Sequence, residues 1–171
     1  MTTVTSRLPA LIDYLVTLFT NDPTLGGPVV SGAQTGPVTV YDGPPTTELD
    51  PPLKLYVGLS NPDSNAAQAA GEFTQQWSGA IGRRARDETT VIHCCAEAWS
   101  GTDPLQPMRL AATGIVAAVE TLMQSDTTQF GGNVLFPDPG ITAGTLSQNN
   151  SGGGGIARIA FDLTFKSRIG S

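Results

Sequence analysis

The stretch DETTVIHCCAEAWSGTDPLQPMRLAATGIVAAVETLMQSD, from Asp87 to Asp126, decides the fold. It reads as a long β-strand, a tight turn and a long α-helix. The strand alternates with period two. Ile92, Cys94, Ala96 and Ala98 form one face, and Val91, His93, Cys95, Glu97 and Trp99 form the other. The first face is small and apolar, so a helix can approach it closely. The helix that follows offers the matching stripe, with Met108, Ala111, Ala112, Ile115, Val119 and Leu122 at three- and four-residue spacing. A strand and the helix that covers it form the organising unit.

Working outward, the spacing predicts a first helix beginning near Ser6, a candidate N-cap, with Pro9 in its first turn. Leu8, Leu11, Ile12, Leu15, Leu18 and Phe19 form its apolar stripe, and Asn21, Asp22 and Pro23 stop it. A loop is expected from Pro23 to Pro37, including Val29 and Val30. A short strand follows at VTVYDG from Val38. LKLYVGLS alternates, with Leu53, Leu55, Val57 and Leu59 on one face and Lys54 and Tyr56 on the other. NPDSNAAQAAG, from Asn61 to Gly71, reads as a flexible arm or loop.

EFTQQWSGAI, from Glu72, pairs as a strand with the Asp87 strand in a hairpin expected to project around residues 60–88. Phe73, Gln75 and Trp77 share one side, with Gly79 and Gly82 near the turn. Asp103 and Pro104 read as N-cap and first position of the second helix, and Pro107 places its regular part nearer Met108. Beyond it, Gly131-Gly132 and Pro137/Pro139 mark loops. ITAGTLSQNN reads as a strand, SGGGG as a hairpin tip, and IARIAFDLTFKSRI as the final strand. There Ile159, Phe161, Leu163 and Phe165 face away from Arg158, Asp162, Lys166 and Arg168. An apolar and a charged face imply a sheet covered on one side only. The expectation is a single α+β domain spanning 1–171. It has two layers, a mostly antiparallel sheet of five to six strands and two long helices on one face.

A chain of 171 residues needs no staples to bury a core. Its net charge of −6 argues against a nucleic-acid-binding surface, because only 9 Lys and Arg are available to neutralise phosphates. Adjacent Cys94 and Cys95 point to opposite strand faces and suit a reducing compartment. The N-terminus reads as neither a signal peptide nor a membrane span.

His93, Cys95 and Glu97 superficially resemble a metal or catalytic cluster. Alternate strand residues stand about 7 Å apart, however, so the outer two lie about 13 Å apart. One zinc needs four ligands at about 2.0–2.3 Å, and there is no other His or Cys to complete the set. SGGGG lacks the Lys-Ser/Thr of a phosphate-cradling loop. Asp87 and Glu88, beside Arg83, Arg84 and Arg86, could form an acid/base pair or an ion network. Adjacent strand side chains point apart, which favours the network. Trp77 and Trp99 read as sheet-face or interface anchors, or equally as core aromatics. No enzyme, metal or cofactor is expected.

Taken in order, SRLPALIDYLVTLF, VTVYDGP, LYVG, RARDETTVIHCCAEAWSGTD, the Ala-rich helix and GIARIAFDLTFKSRIG resemble the tail-terminator (tail-completion) proteins of long-tailed phages of actinobacteria. The resemblance covers nearly the whole chain and rests on the order of the segments. It implies a homohexameric ring at the tail–neck junction of the virion, assembled in the host cytoplasm. Such a ring caps the tail tube protein, ends its growth and meets a head-side neck protein, with phage DNA passing through the lumen. No membrane is involved. A head-closure or stopper protein is the neighbouring reading, and a small-ligand-binding α+β module is the reading from another class. Under the ring reading, the interface candidates are Trp77, Arg83, Arg84, Arg86, Asp87, Glu97, Trp99, Arg158, Asp162, Lys166 and Arg168.

Overall fold

The computed structural model describes residues 5–26, 37–45, 51–77, 85–101, 104–134, 140–151 and 154–170. Helix α1 (Leu8–Asn21) and the single turn α2 (Pro23–Gly26) precede strands β1 (Thr39–Asp42), β2 (Leu53–Val57), β3 (Gly71–Trp77) and β4 (Arg86–Ser100). Helix α3 (Leu105–Ser125), the short turn α4 (Gln129–Gly132), β5 (Gly140–Ser151) and β6 (Gly154–Ile169) complete the order. The α+β architecture is as the sequence implies, with six strands and two long helices.

The strand order is β1-β2-β4-β6-β5, with β3 pairing the other half of the β4 edge that β2 occupies. Among the described strands only β1–β2 is a parallel pair. β4 is the axis of the sheet. β6 runs antiparallel to it along its whole length, from Arg86↔Ile169 to Ser100↔Gly155. On the opposite edge, β3 takes Arg86 to Ile92 and β2 takes Cys94 to Ala98.

Facing residues share a side of the sheet, so the register sorts the chemistry. Ile92, Cys94, Ala96 and Ala98 join Leu53, Leu55, Val57, Ala157, Phe161, Leu163 and Phe165 in the main core. Leu11, Leu15 and Phe19 of α1 and all six expected α3 positions close that core from one side. Each large side chain buried there contributes about 1.5–3 kcal/mol.

Several local expectations change. Leu59 crosses to the other face, joining Tyr56 and Cys95 in a second small cluster. The cause is Gly58, whose φ of 77° turns the strand so that its own N–H and that of Leu59 both reach the His93 carbonyl, at 2.8 and 3.1 Å. The residue at the N-cap position of α1 is Arg7 rather than Ser6, and Glu88 accepts its N–H at 2.8 Å. Ser6 Oγ still accepts from Leu8 N–H at 3.1 Å. α3 starts at Leu105, before Pro107, because a proline in the first turn removes no intrahelical donor. Pro104 takes the N-cap position.

The Gly131-Gly132 loop is a left-handed turn, with positive φ from Gln129 through Gly132. Such angles disfavour a bulky residue. Phe130 holds them because its ring is buried edge-on against Phe165 at 5.1 Å and Tyr14 at 5.9 Å. Asp126 fixes the turn by accepting from Thr128 and Phe130 N–H at 2.9 and 2.7 Å. Expectations for Val29, Val30, Gly79, Gly82, Asp103, Pro137 and Pro139, and for the Gly152-Gly153 tip, fall outside the described residues.

Candidate functional site

The sheet face away from the helices carries the charged residues, and it is not bare. Residues 58–70 fold back over it as a closed loop. Both ends hang on one residue: His93 O accepts Gly58 and Leu59 N–H, and His93 N–H donates to Ala70 O at 3.1 Å. Inside the loop, the Gln68 side chain accepts from Asn61 N–H at 2.9 Å and donates back to Asn61 O at 2.5 Å. Of the expected arm or loop, the segment takes the loop, a self-stapled Ω-type one, because its own amide side chain satisfies its backbone.

Beneath the loop lies an ion cluster built by strand register. Lys54, Glu97 and Arg158 stand opposite one another on β2, β4 and β6. Lys54 Nζ donates to Glu97 Oε1 at 2.6 Å, and Arg158 Nε donates to Glu97 Oε2 at 2.5 Å. The remaining Arg158 nitrogens form a fork onto the Asp63 carboxylate of the loop. Glu97 is 2 % exposed and Lys54 7 %. Burial alone would lower the Arg158 pKa, but its bonds to Asp63 and Glu97 raise it further above the usual guanidinium range. Among the described residues two positive groups meet two negative ones, and such pairing lets charges sit this deep.

The His93, Cys95 and Glu97 side chains take separate partners. His93 Nδ1 meets Asp162 at 2.7 Å. Cys95 packs with Tyr56 and Leu59, and burial first, then Glu97, pushes its thiol up to about 12. At neutral pH it is a thiol, not a thiolate nucleophile. Among the described residues no group of three or more His, Cys, Asp or Glu could hold a metal ion. Between loop, β5 and β6 lies a cleft of about 520 Å³, lined by Ser60, Asn61, Trp99, Asn149 and Arg158 among others.

No protein-family model matches the chain, and no curated protein matches it. What its surfaces can do rests on their own chemistry. No helix of the described residues is long and apolar enough to cross a membrane.

The interface candidates separate into two groups. Glu97 and Arg158 lie in the ion cluster, Trp99 lines the cleft beside it, and Asp162 pairs with His93. The expected free charged face is thus largely neutralised from within the chain. Asp87 pairs with Arg168 at 2.6 Å, which holds its carboxyl below the usual range. Its neighbour Glu88 points the opposite way, to α1, Gln75 and Thr90. Asp87 and Glu88 therefore form no acid/base pair. Lys166 is exposed on the open face opposite Thr89. At the far end of β3, Trp77 is 73 % exposed, with the Arg86 guanidinium 5.6 Å from its ring centroid. Arg83 and Arg84 lie outside the described residues.

The sequence reading missed Lys54 and Asp63. Lys54 had a signal, being the one charge in the apolar run LKLYV. Asp63 had none, since only the fold-back of the loop brings it across 95 positions to Arg158.

Proposed function

We propose that this chain is a structural subunit of a phage tail-completion ring. It acts without catalysis or cofactor: six copies cap the tail tube, end its growth and present a surface to the head-side neck protein. DNA passes through the centre without sequence-specific contact, and the ring resides at the tail–neck junction of the virion. The observation that carries this reading is the exposed end of the β3–β4 pair. A tryptophan 73 % exposed beside an arginine is interface chemistry, because Trp and Arg dominate binding hot spots. Three arginines fall within Arg83 to Arg86 on a chain of net charge −6. A basic and aromatic stretch of sequence on an otherwise acidic chain suits head-to-tail contact between copies. The order of the sequence segments supports the same assignment.

A head-closure or stopper protein would use similar surfaces. The cleft of about 520 Å³ favours a second reading, a small-ligand-binding module, since its size is in the usual range for ligand sites. Its charged lining residues are already paired with one another, which weighs against that reading.

The test is the tail-length distribution, by electron microscopy, after silencing the gene in its phage. Overlong headless tails are expected. Tails of normal length that fail to join heads would move the protein to the head side of the neck. Normal infectious particles would overturn both assembly readings.

A further inference from the structure

We infer that β5 of one copy pairs, edge to edge, with β3 of a second copy. The two strands lie at opposite margins of the sheet, and no described strand pairs with the outer edge of either. Exposed edges invite pairing, and proteins usually blunt them with charge, proline or short length. β1 is treated that way: it has four residues, carries Asp42 and is flanked by Pro37, Pro44 and Pro45. β5 is not. Its twelve residues, GITAGTLSQNNS, contain neither charge nor proline, and its register on β6 runs unbroken from Ala143 to Ser151.

The side chains choose the occupant. Among the described residues four large hydrophobics are exposed: Phe73, Trp77, Leu110 and Leu146. Phe73 and Trp77 belong to β3. Leu146 belongs to β5, whereas Leu110 lies on the surface of α3 turned away from its buried stripe. Three of the four are thus divided between the two margins. Phe73 stands opposite the buried Thr90, and Leu146 opposite Ile159, which faces Ala96. Both therefore lie on the helix-covered side. Continuing the sheet from one copy into the next brings the two apolar margins together on one face.

Strand direction agrees. β5 is antiparallel to β6 and β6 to β4, so β5 runs with β4. β3 runs against β4. Head-to-tail addition with strand sense preserved sets β5 and β3 antiparallel. β3 is centred level with Thr89 and Leu146 is level with Ala96, so successive copies are staggered along the strands. The contact uses two different surfaces, so it can repeat from copy to copy.

The test uses the full chain with two double variants, Thr145→Lys/Leu146→Lys and Phe73→Lys/Thr74→Lys, all at exposed positions. Circular dichroism checks that each folds. Native mass spectrometry with hydrogen exchange then follows assembly as concentration rises to the solubility limit. Wild type is expected to form assemblies beyond dimer, with β3 and β5 amides gaining protection together. Each variant alone loses all assembly. Their equimolar mixture gives a dimer and nothing larger, because one intact β5 and one intact β3 remain. A dimer from the β3 variant alone would overturn the pairing in favour of a symmetric β5 contact. A monomeric mixture, a variant that assembles like wild type, or a wild type monomeric throughout would also overturn it. Tail length is a separate readout, so pairing with normal tails would remove the capping role and leave this contact standing.

Discussion

The two halves of β4 are covered differently. From Cys94 to Ser100 every residue except Trp99 is buried, with helices on one face and the loop-covered ion cluster on the other. From Arg86 to Ile92 the strand borders β3, whose residues are mostly exposed and whose Trp77 is open to solvent. The same strand holds the molecule together at one end and offers it to others at the other end. Buried charge and exposed tryptophan have opposite meanings here. The ions are an internal fastening, and the aromatics are the outward surface.

That contrast fails if the inner half tolerates loss of charge. Glu97→Leu removes the buried carboxylate that Lys54 and Arg158 share, and an expected loss of about 3–5 kcal/mol follows, read as a lower urea midpoint. Next in size is Asp126→Ala, which frees the left-handed turn behind Phe130. Loss of this cap should cost about 0.5–2 kcal/mol in the same measurement. Burial raises the Asp126 pKa, but hydrogen bonds from Thr128, Phe130 and Tyr14 outweigh it and the net shift is downward. A carboxyl depressed in the folded state stabilises above its unfolded pKa, and that contribution is lost as pH falls through the folded value. Unfolding followed from neutral to acid pH should therefore show a shallower acid-side loss in the Asp126→Ala variant than in wild type.

Asp63→Ala separates the loop from the cluster beneath it. Asp63 is largely exposed, so the loss should be about 0.2–1 kcal/mol. Faster hydrogen exchange confined to residues 61–68 is the accompanying sign, and global unfolding would contradict a merely overlying loop. Smallest of all, Trp77→Ala should change stability by no more than about 0.5 kcal/mol. It should still weaken assembly by native mass spectrometry. A large stability loss with assembly intact would reverse the roles given to the two halves.

How much of this was legible in sequence follows from periodicity. β4, β6 and both long helices present regular stripes, and period two or 3.6 reports burial directly. The layer arrangement follows from them. The Leu59 face was not legible, because one positive φ at Gly58 breaks an alternation that the letters continue. Nor was the covered ion face. Arg158 and Asp162 read as solvent-facing because their partners, Asp63 and His93, come from elements that only tertiary packing brings near. Trp77 was readable as a candidate anchor, but periodicity alone does not say whether a strand-end aromatic faces core or solvent.

The loop over the open face has a further consequence. Its two ends rest on the amide and carbonyl of a single residue, His93, so the span between its anchors does not depend on its length. Loop-closure entropy rises only by about 0.6 kcal/mol per doubling of length. Residues around Ser64 to Ala67 can therefore accept an inserted peptide while the strands on either side stay in register. If the ring assembles as proposed, each copy would carry one such position, and a virion could display six inserted tags at a fixed level of its tail.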